Sequence, residues 1–136
     1  MYKCKDVAVI GSGNSALESA LYLSDICKNV YLVIRGNELR GDKFLINNVN
    51  EKNNVKLLNN SKIDSLISDD DKLNGIELNG EQLLVDGIFV NIGYKPSINI
   101  LKFLDIKLDR NYIVVDKNME TSVKGIYACG DIIKKD

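Results

Sequence analysis

Four apolar residues, Val7-Ala8-Val9-Ile10, run directly into Gly11-Ser12-Gly13-Asn14-Ser15-Ala16. A helical stretch follows. A second apolar strand spans Val30 to Ile34, and two arginines, Arg35 and Arg40, come after it. That order predicts a phosphate-binding βαβ unit with a site for a second, ribose-borne phosphate at its far end. It implies a chain that holds a dinucleotide, and it points to NADP(H) over NAD(H).

Each position in the loop has a physical reason. Gly11, the first glycine of G-x-G-x-x-A, allows the sharp strand-to-helix turn. Gly13 has no side chain, so the backbone can come close to a pyrophosphate. Ala16 stands where a third glycine would be and permits tight helix–strand packing. The free N–H groups of the helix start, and the positive end of its dipole, then face the phosphates. The plain alternative is a tight turn with no ligand.

Choice between the two dinucleotides is made at the end of the second strand. A carboxylate there would accept hydrogen bonds from a ribose 2′-OH and repel a 2′-phosphate. Here the position is Ile34, followed by Arg35, and no carboxylate appears until Glu38. Arg35 and Arg40 can supply charge-assisted hydrogen bonds to a phosphate; otherwise they are two solvated surface arginines. Glu18 has two readings. Ser15-x-x-Glu18 spells a capping box, and Glu18 could also point toward the ribose or nicotinamide.

The pattern of elements around this unit predicts an α/β domain. A first strand is expected over about Asp6 to Gly11, then a helix from about Asn14 to Cys27 with Leu17, Ala20, Leu21 and Leu23 on its apolar face. A second strand covers Asn29 to Ile34. The next helix is expected over Gly41 to Glu51 with Phe44, Leu45 and Val49 inward, and Val55 to Leu58 is a third parallel strand. Lys62 to Ile67, Leu73 to Leu78 and Gln82 to Val85 then read as an antiparallel meander. Asn79-Gly80 is its hairpin signal, and Asp69-Asp70-Asp71 is a solvated tip. Gly87 to Ile92 returns to a buried strand, Pro96 through Leu104 to a short helix, and Asn111 to Val115 and Ile126 to Cys129 to short strands.

Composition narrows the chemistry. The 136 residues carry a net charge of −1, which leaves no basic footprint for nucleic acid and no polybasic membrane patch. No apolar run approaches the roughly 20 residues of a membrane-spanning helix, and Met1-Tyr2-Lys3 does not lead into a signal peptide. A cytoplasmic location is the expectation. There are no histidines, and Cys4, Cys27 and Cys129 are far apart without a C-x-x-C. A zinc site and a histidine-based nucleophile pair are therefore not expected, and the thiols should be free. Any chemistry must come from a cofactor or from residues elsewhere.

The segments GSGNSALESALYLS, VYLVIRGNELRGDKFL, FVNIGYKPSINIL and METSVKGIYACGD, in that order, resemble the low-molecular-weight bacterial thioredoxin reductases. The resemblance covers nearly the whole chain and is closest to that family's NADPH-binding domain. It implies that Gly11, Ser12, Gly13, Asn14, Ser15 and Ala16 form the pyrophosphate loop and that Glu18 lies near the nicotinamide. By the same resemblance Arg35 and Arg40 are two of the three arginines of a His-Arg-Arg-x-x-x-Arg phosphate clamp. Ile34 replaces the clamp's histidine, and Gly36 its middle arginine. Losing one guanidinium should weaken the hold on a 2′-phosphate by about 1.5–3 kcal/mol. Ile92, Gly93 and Tyr94 match a strand end bordering the cofactor. Gly130 and Asp131 match the Gly-Asp pair that contacts FAD.

The resemblance further implies a three-layer Rossmann-like α/β fold, with a mostly parallel sheet, helices on its faces and the antiparallel meander on one side. The expected division is an NAD(P)H-binding domain over 1–120 and, over 121–136, the start of a return segment into an FAD-binding domain. The family's N-terminal FAD motif and its redox Cys-x-x-Cys are not in this sequence. The chain therefore reads as a domain excised from a larger reductase, without turnover on its own and with a poorly anchored tail from about Thr121. The implied activity is hydride transfer from NADPH to FAD and on, through a dithiol, to thioredoxin, in a homodimeric parent. Two alternatives stand beside it: a ferredoxin–NADP reductase of the same architecture, and a nucleotide-binding module without catalysis.

Overall fold

Every apolar strand near the glycine loop divides its side chains between two cores. The computed structural model describes residues 1–93 and 103–134. The chain forms two compact units, Met1–Gly93 and Tyr94–Asp136. The first runs β1 (Asp6–Ile10), α1 (Asn14–Ser24), β2 (Asn29–Val33), α2 (Lys43–Asn50), β3 (Val55–Leu58), β4 (Ile63–Asp69), β5 (Lys72–Leu78), β6 (Glu81–Leu84) and β7 (Gly87–Val90).

Strands β3-β2-β1-β7 form a parallel sheet in that order, with Val9 paired to Leu32 on one side and to Phe89 on the other. Successive side chains of a strand point to opposite faces. Val7 and Val9 of β1, with Val30 and Leu32 of β2 and then Ile34, meet Ala16, Leu17, Ala20 and Leu23 of α1 and Val49 of α2. Ala8, Ile10 and Val33 meet Ile76, Leu78 and Val85 from the meander β4-β5-β6. The layers are thus helix, parallel sheet, antiparallel sheet. The three layers expected are present: among the described residues α1 and α2 share one face of the parallel sheet, and the meander occupies the other. Leu17, Leu32 and Ile76 are fully buried, and each such side chain contributes about 1.5–3 kcal/mol through burial.

Several expected boundaries move. Helix α1 ends at Ser24 rather than Cys27, although the Cys27 N–H still bonds the Leu23 carbonyl at 2.8 Å. The side chain of Asn54 donates to the carbonyls of Ser24 (2.8 Å) and Cys27 (3.3 Å), capping the exit. On α2, Phe44 points outward, contrary to expectation, and is 73% exposed. The helix has only eight residues. Its single apolar stripe is Leu45, Ile46 and Val49, and Phe44 falls on the far side of that stripe.

The Asn79-Gly80 hairpin forms as expected. Leu78 pairs with Glu81, and both turn residues have positive φ, 50° and 83°, the geometry of the turn whose twist matches its strands. Asp70 and Asp71 make a similar exposed turn between β4 and β5, with φ of 45° and 62°. Strand β7 is shorter and less buried than expected. It ends at Val90, and Val90 and Ile92 are exposed because β7 is an edge of its sheet.

The second unit contains a small hairpin, β8 (Leu108–Asp109) and β9 (Tyr112–Ile113), around the buried Ile106 and Ile113. The helix expected over Pro96 to Leu104 falls mainly on residues 94–102, outside the described residues. The strand expected over Ile126 to Cys129 is replaced by one bridge, Tyr127 to Glu120. Gly130–Ile132 is a 3-10 turn. The segment from Thr121 carries several anchors within its unit. Thr121 pairs with Val115, Lys134 N–H donates to the Ile113 carbonyl at 2.9 Å, and Lys134 Nζ sits 2.7 Å from Asp109.

Candidate functional site

The end of β1 dictates the loop that follows. Gly11 N–H donates to the Val33 carbonyl at 3.1 Å, and Asn91 N–H donates to the Ile10 carbonyl at 2.7 Å, so the parallel pairing persists up to the turn. Gly11 then takes φ +143°. A Cβ there would run into the Asn91 carbonyl, 2.9 Å from its carbon, and lie 3.1 Å from Ala16 Cβ. Glycine is needed at that position for both conformation and space.

Gly13 differs. Its φ of −92° is ordinary, and no atom lies within 4 Å of a Cβ placed on it. It is the N-cap of α1 and no side chain caps the helix. The first bonds inside the turn come from Ala16 (3.0 Å) and Leu17 (3.2 Å) to the Gly13 carbonyl. Among the described residues the N–H groups of Gly13, Asn14 and Ser15 have no acceptor. Uncapped N–H groups at a helix start, with open space before them, suit a phosphate.

The capping box expected at Ser15 and Glu18 does not form. It would need Ser15 as N-cap, but the backbone turns helical at Asn14. Ser15 is therefore the second helical residue, and Glu18 projects from the exposed face one turn further on.

The arginine segment is held beside this loop. Ile34 is buried against α1, so its side chain faces the core rather than any ligand. Arg35, Gly36 and Arg40 are exposed, and neither arginine makes an ion pair among the described residues. The segment is pinned at both ends. Asn60 N–H donates to the Gly36 carbonyl at 2.8 Å and Ser61 N–H to the Ile34 carbonyl at 2.9 Å. Arg40 N–H donates to the Ser12 carbonyl at 2.7 Å, a direct bond between the arginine segment and the glycine loop.

Asn14 adds a link that sequence reasoning missed. Its side chain donates to Asp42 Oδ2 at 2.8 Å and accepts from the Asp42 N–H at 2.8 Å. No spacing rule reveals a pair 28 residues apart. No local signal marks it, since Asp42 falls inside the helix expected from Gly41 and becomes its N-cap only because the helix starts at Lys43.

Ile92 and Gly93 follow β7 and are exposed, Gly93 with φ +87°. Tyr94 lies outside the described residues. Gly130 (φ +82°) and Asp131 are exposed on the 3-10 turn of the second unit. Cys4 and Cys129 are exposed, while Cys27 is buried. Desolvation pushes the Cys27 thiol up, and the nearby Asp6 and Cys4 add to it, so it is a packing residue rather than an activated nucleophile. Among the described residues no helix is long and apolar enough to cross a membrane.

Comparison with known proteins gives a consistent neighbourhood. The family model described as pyridine nucleotide-disulphide oxidoreductase matches residues 2–136. The thioredoxin reductase of Borreliella burgdorferi is 38% identical over 141 residues, covering 99% of this chain and 43% of its own length. The thioredoxin reductase of Mycoplasma genitalium is 34% identical over 142 residues, covering 99% of this chain and 45% of its own length. The crystal structure of Lactococcus lactis thioredoxin reductase in its FR conformation superposes with a TM-score of 0.90 at 28% identity, covering 99% of this chain and 46% of that one. The chain thus spans less than half the length of these relatives.

Proposed function

This chain belongs to the pyridine nucleotide-disulphide oxidoreductase family, and on that premise we propose that it is the NADP(H)-binding part of a thioredoxin reductase-like flavoprotein. The pyrophosphate lies over Gly11 to Ala16 at the uncapped start of α1. The 2′-phosphate is gripped by Arg35 and Arg40. The observation that carries this reading is the bond from Arg40 N–H to the Ser12 carbonyl at 2.7 Å, which joins a cationic segment to an open helix N-terminus.

The residues fit the nucleotide. Gly13 leaves open space where a side chain would block a phosphate, and two arginines without an acidic partner among the described residues stand where the ribose phosphate would arrive. NADPH, when bound, supplies a hydride that the FAD of the intact protein accepts. The chain's own contribution is to bind and orient. Helix α1 and its loop fix the pyrophosphate, and the arginines select the phosphorylated ribose. Ile92 and Gly93, which follow β7, would border the nicotinamide side, with Glu18 nearby. In the intact protein, which we take to be a cytoplasmic homodimer, Gly130 and Asp131 would help hold the FAD, whose chemistry would pass electrons through a dithiol to thioredoxin. The thioredoxin reductase relatives support that acceptor.

The test is calorimetric titration of the chain with NADP⁺ and, separately, NAD⁺. Tighter NADP⁺ binding that falls about 10- to 150-fold on Arg35→Ala, with NAD⁺ binding little changed, is the expected result. Equal affinity for the two nucleotides, or no loss on Arg35→Ala, would remove the clamp from the reading.

A further inference from the structure

The reciprocal bonds between Asn14 and Asp42 sit in an unusual place. Asp42 is the N-cap residue of α2, where an aspartate ordinarily accepts from its own helix. Its carboxylate makes no cap bond. It turns instead to the side chain of Asn14, at the start of α1, while its backbone N–H donates to the same amide. Both residues are exposed, so the pair adds little to the core. Gly41, between Arg40 and Asp42, is pressed against the same helix start. A Cβ at 41 would lie 2.8 Å from Asn14 Oδ1 and run into Leu17.

We propose that Asp42 is a positioning residue for cofactor choice. Through Asn14 it clips the arginine segment to the glycine loop, so that the 2′-phosphate and the pyrophosphate are gripped at a set separation. The inference rests on the NADP(H) reading above. An amide suits the role because one Asn side chain offers a donor to the carboxylate and an acceptor to the N–H. The bond also occupies the carboxylate. Among the described residues Asp42 pairs with neither Arg35 nor Arg40, and both guanidinium groups stay available for a phosphate. Without the carboxylate, the Asn14 amide keeps only its bond from the Asp42 N–H, and the segment carrying Arg40 is held to the loop less firmly.

Asp42→Ala separates this role from simple charge. Removing an acidic group near an anion site should tighten NADP⁺ binding if only electrostatics matter. The clip predicts the opposite sign. NADP⁺ affinity should fall about tenfold, NAD⁺ affinity by less than about twofold, and the urea midpoint should stay put, since Asp42 does not cap α2. Asp42→Asn keeps an oxygen that can accept from Asn14 and should restore most of the NADP⁺ preference. Unchanged or tighter NADP⁺ binding by Asp42→Ala would overturn the proposal, as would equal losses for the two nucleotides or no rescue by Asp42→Asn. If the unsubstituted chain binds NADP⁺ no better than NAD⁺, the NADP(H) reading itself fails and the clip's role goes with it. A native preference that survives Asp42→Ala sinks the clip alone.

Discussion

Replacing Gly11 and Gly13 one at a time by alanine separates folding from ligand binding within a single loop. Gly11 holds φ +143°, a region that costs a residue with a side chain about 1–3 kcal/mol. The new Cβ would also lie 2.9 Å from the Asn91 carbonyl carbon and 3.1 Å from Ala16 Cβ. Asn91 cannot step aside freely, because its N–H is bonded to the Ile10 carbonyl at 2.7 Å. Overpacking of that kind adds about 1–3 kcal/mol. Together the two effects give a loss of about 2–6 kcal/mol, a large share of the roughly 5–15 kcal/mol that holds a domain folded.

Gly13→Ala meets neither obstacle. Its φ and ψ, −92° and −177°, are open to any residue, and nothing lies within 4 Å of the added carbon. The stiffer unfolded chain offsets the poorer N-cap, so stability should change by less than about 0.5 kcal/mol. The added methyl projects into the space assigned to the pyrophosphate, and NADP⁺ affinity should fall at least about tenfold, or 1.4 kcal/mol. Urea unfolding followed by circular dichroism measures the first quantity, and titration calorimetry the second. Equal destabilisation by the two substitutions, or native NADP⁺ affinity in Gly13→Ala, would refute the reasoning.

Four further outcomes are expected. Ile76→Ala should lower unfolding free energy by about 2–5 kcal/mol, because Ile76 is fully buried between the meander and the parallel sheet, whereas the exposed Leu66→Ala should stay within about 0.5 kcal/mol; urea midpoints decide it. Maleimide should label Cys4 and Cys129 well before Cys27, whose thiol burial pushes up. A raised folded pKa means a stability contribution that is intact below the ordinary thiol value and lost as pH rises through the raised one, so Cys27→Ala should flatten the alkaline limb of the stability curve. Finally, the Asp64 carboxyl is held low by Lys62, 3.1 Å away, and by the Gly80 N–H at 3.1 Å. Its contribution is present above the ordinary carboxylate range and fades as pH falls through the lowered value, so Asp64→Asn should remove part of the acid dependence seen by thermal melts.

Much of the βαβ unit was legible because its determinants are local. The continuous apolar runs Val7-Ala8-Val9-Ile10 and Val30 to Ile34, a glycine that must turn, and the period of Leu17, Ala20 and Leu23 each act within a few residues. The Asn79-Gly80 turn was legible for the same reason, since positive φ at two successive positions selects those residue types. The capping box misled because it is a local signal that lost to a stronger one. The end of β1 and the turn at Gly11 set the start of α1, and Ser15 was left inside its first turn. Phe44 misled because hydrophobicity says that a side chain could be buried, and only the phase of α2 against α1 says whether it is.

The sequence by itself determined the first three parallel strands, the glycine loop, the Asn79-Gly80 turn and the absence of a carboxylate directly after the second strand. Short-range sterics and periodicity carry that information along the chain. Tertiary structure alone decided that α1 and α2 share one face while the meander covers the other, that Ile34 turns into the core, and that Arg40 is bonded to Ser12 and Asp42 to Asn14. Those outcomes depend on which distant surfaces meet, and pairings between residues 28 positions apart leave no periodic trace in the chain.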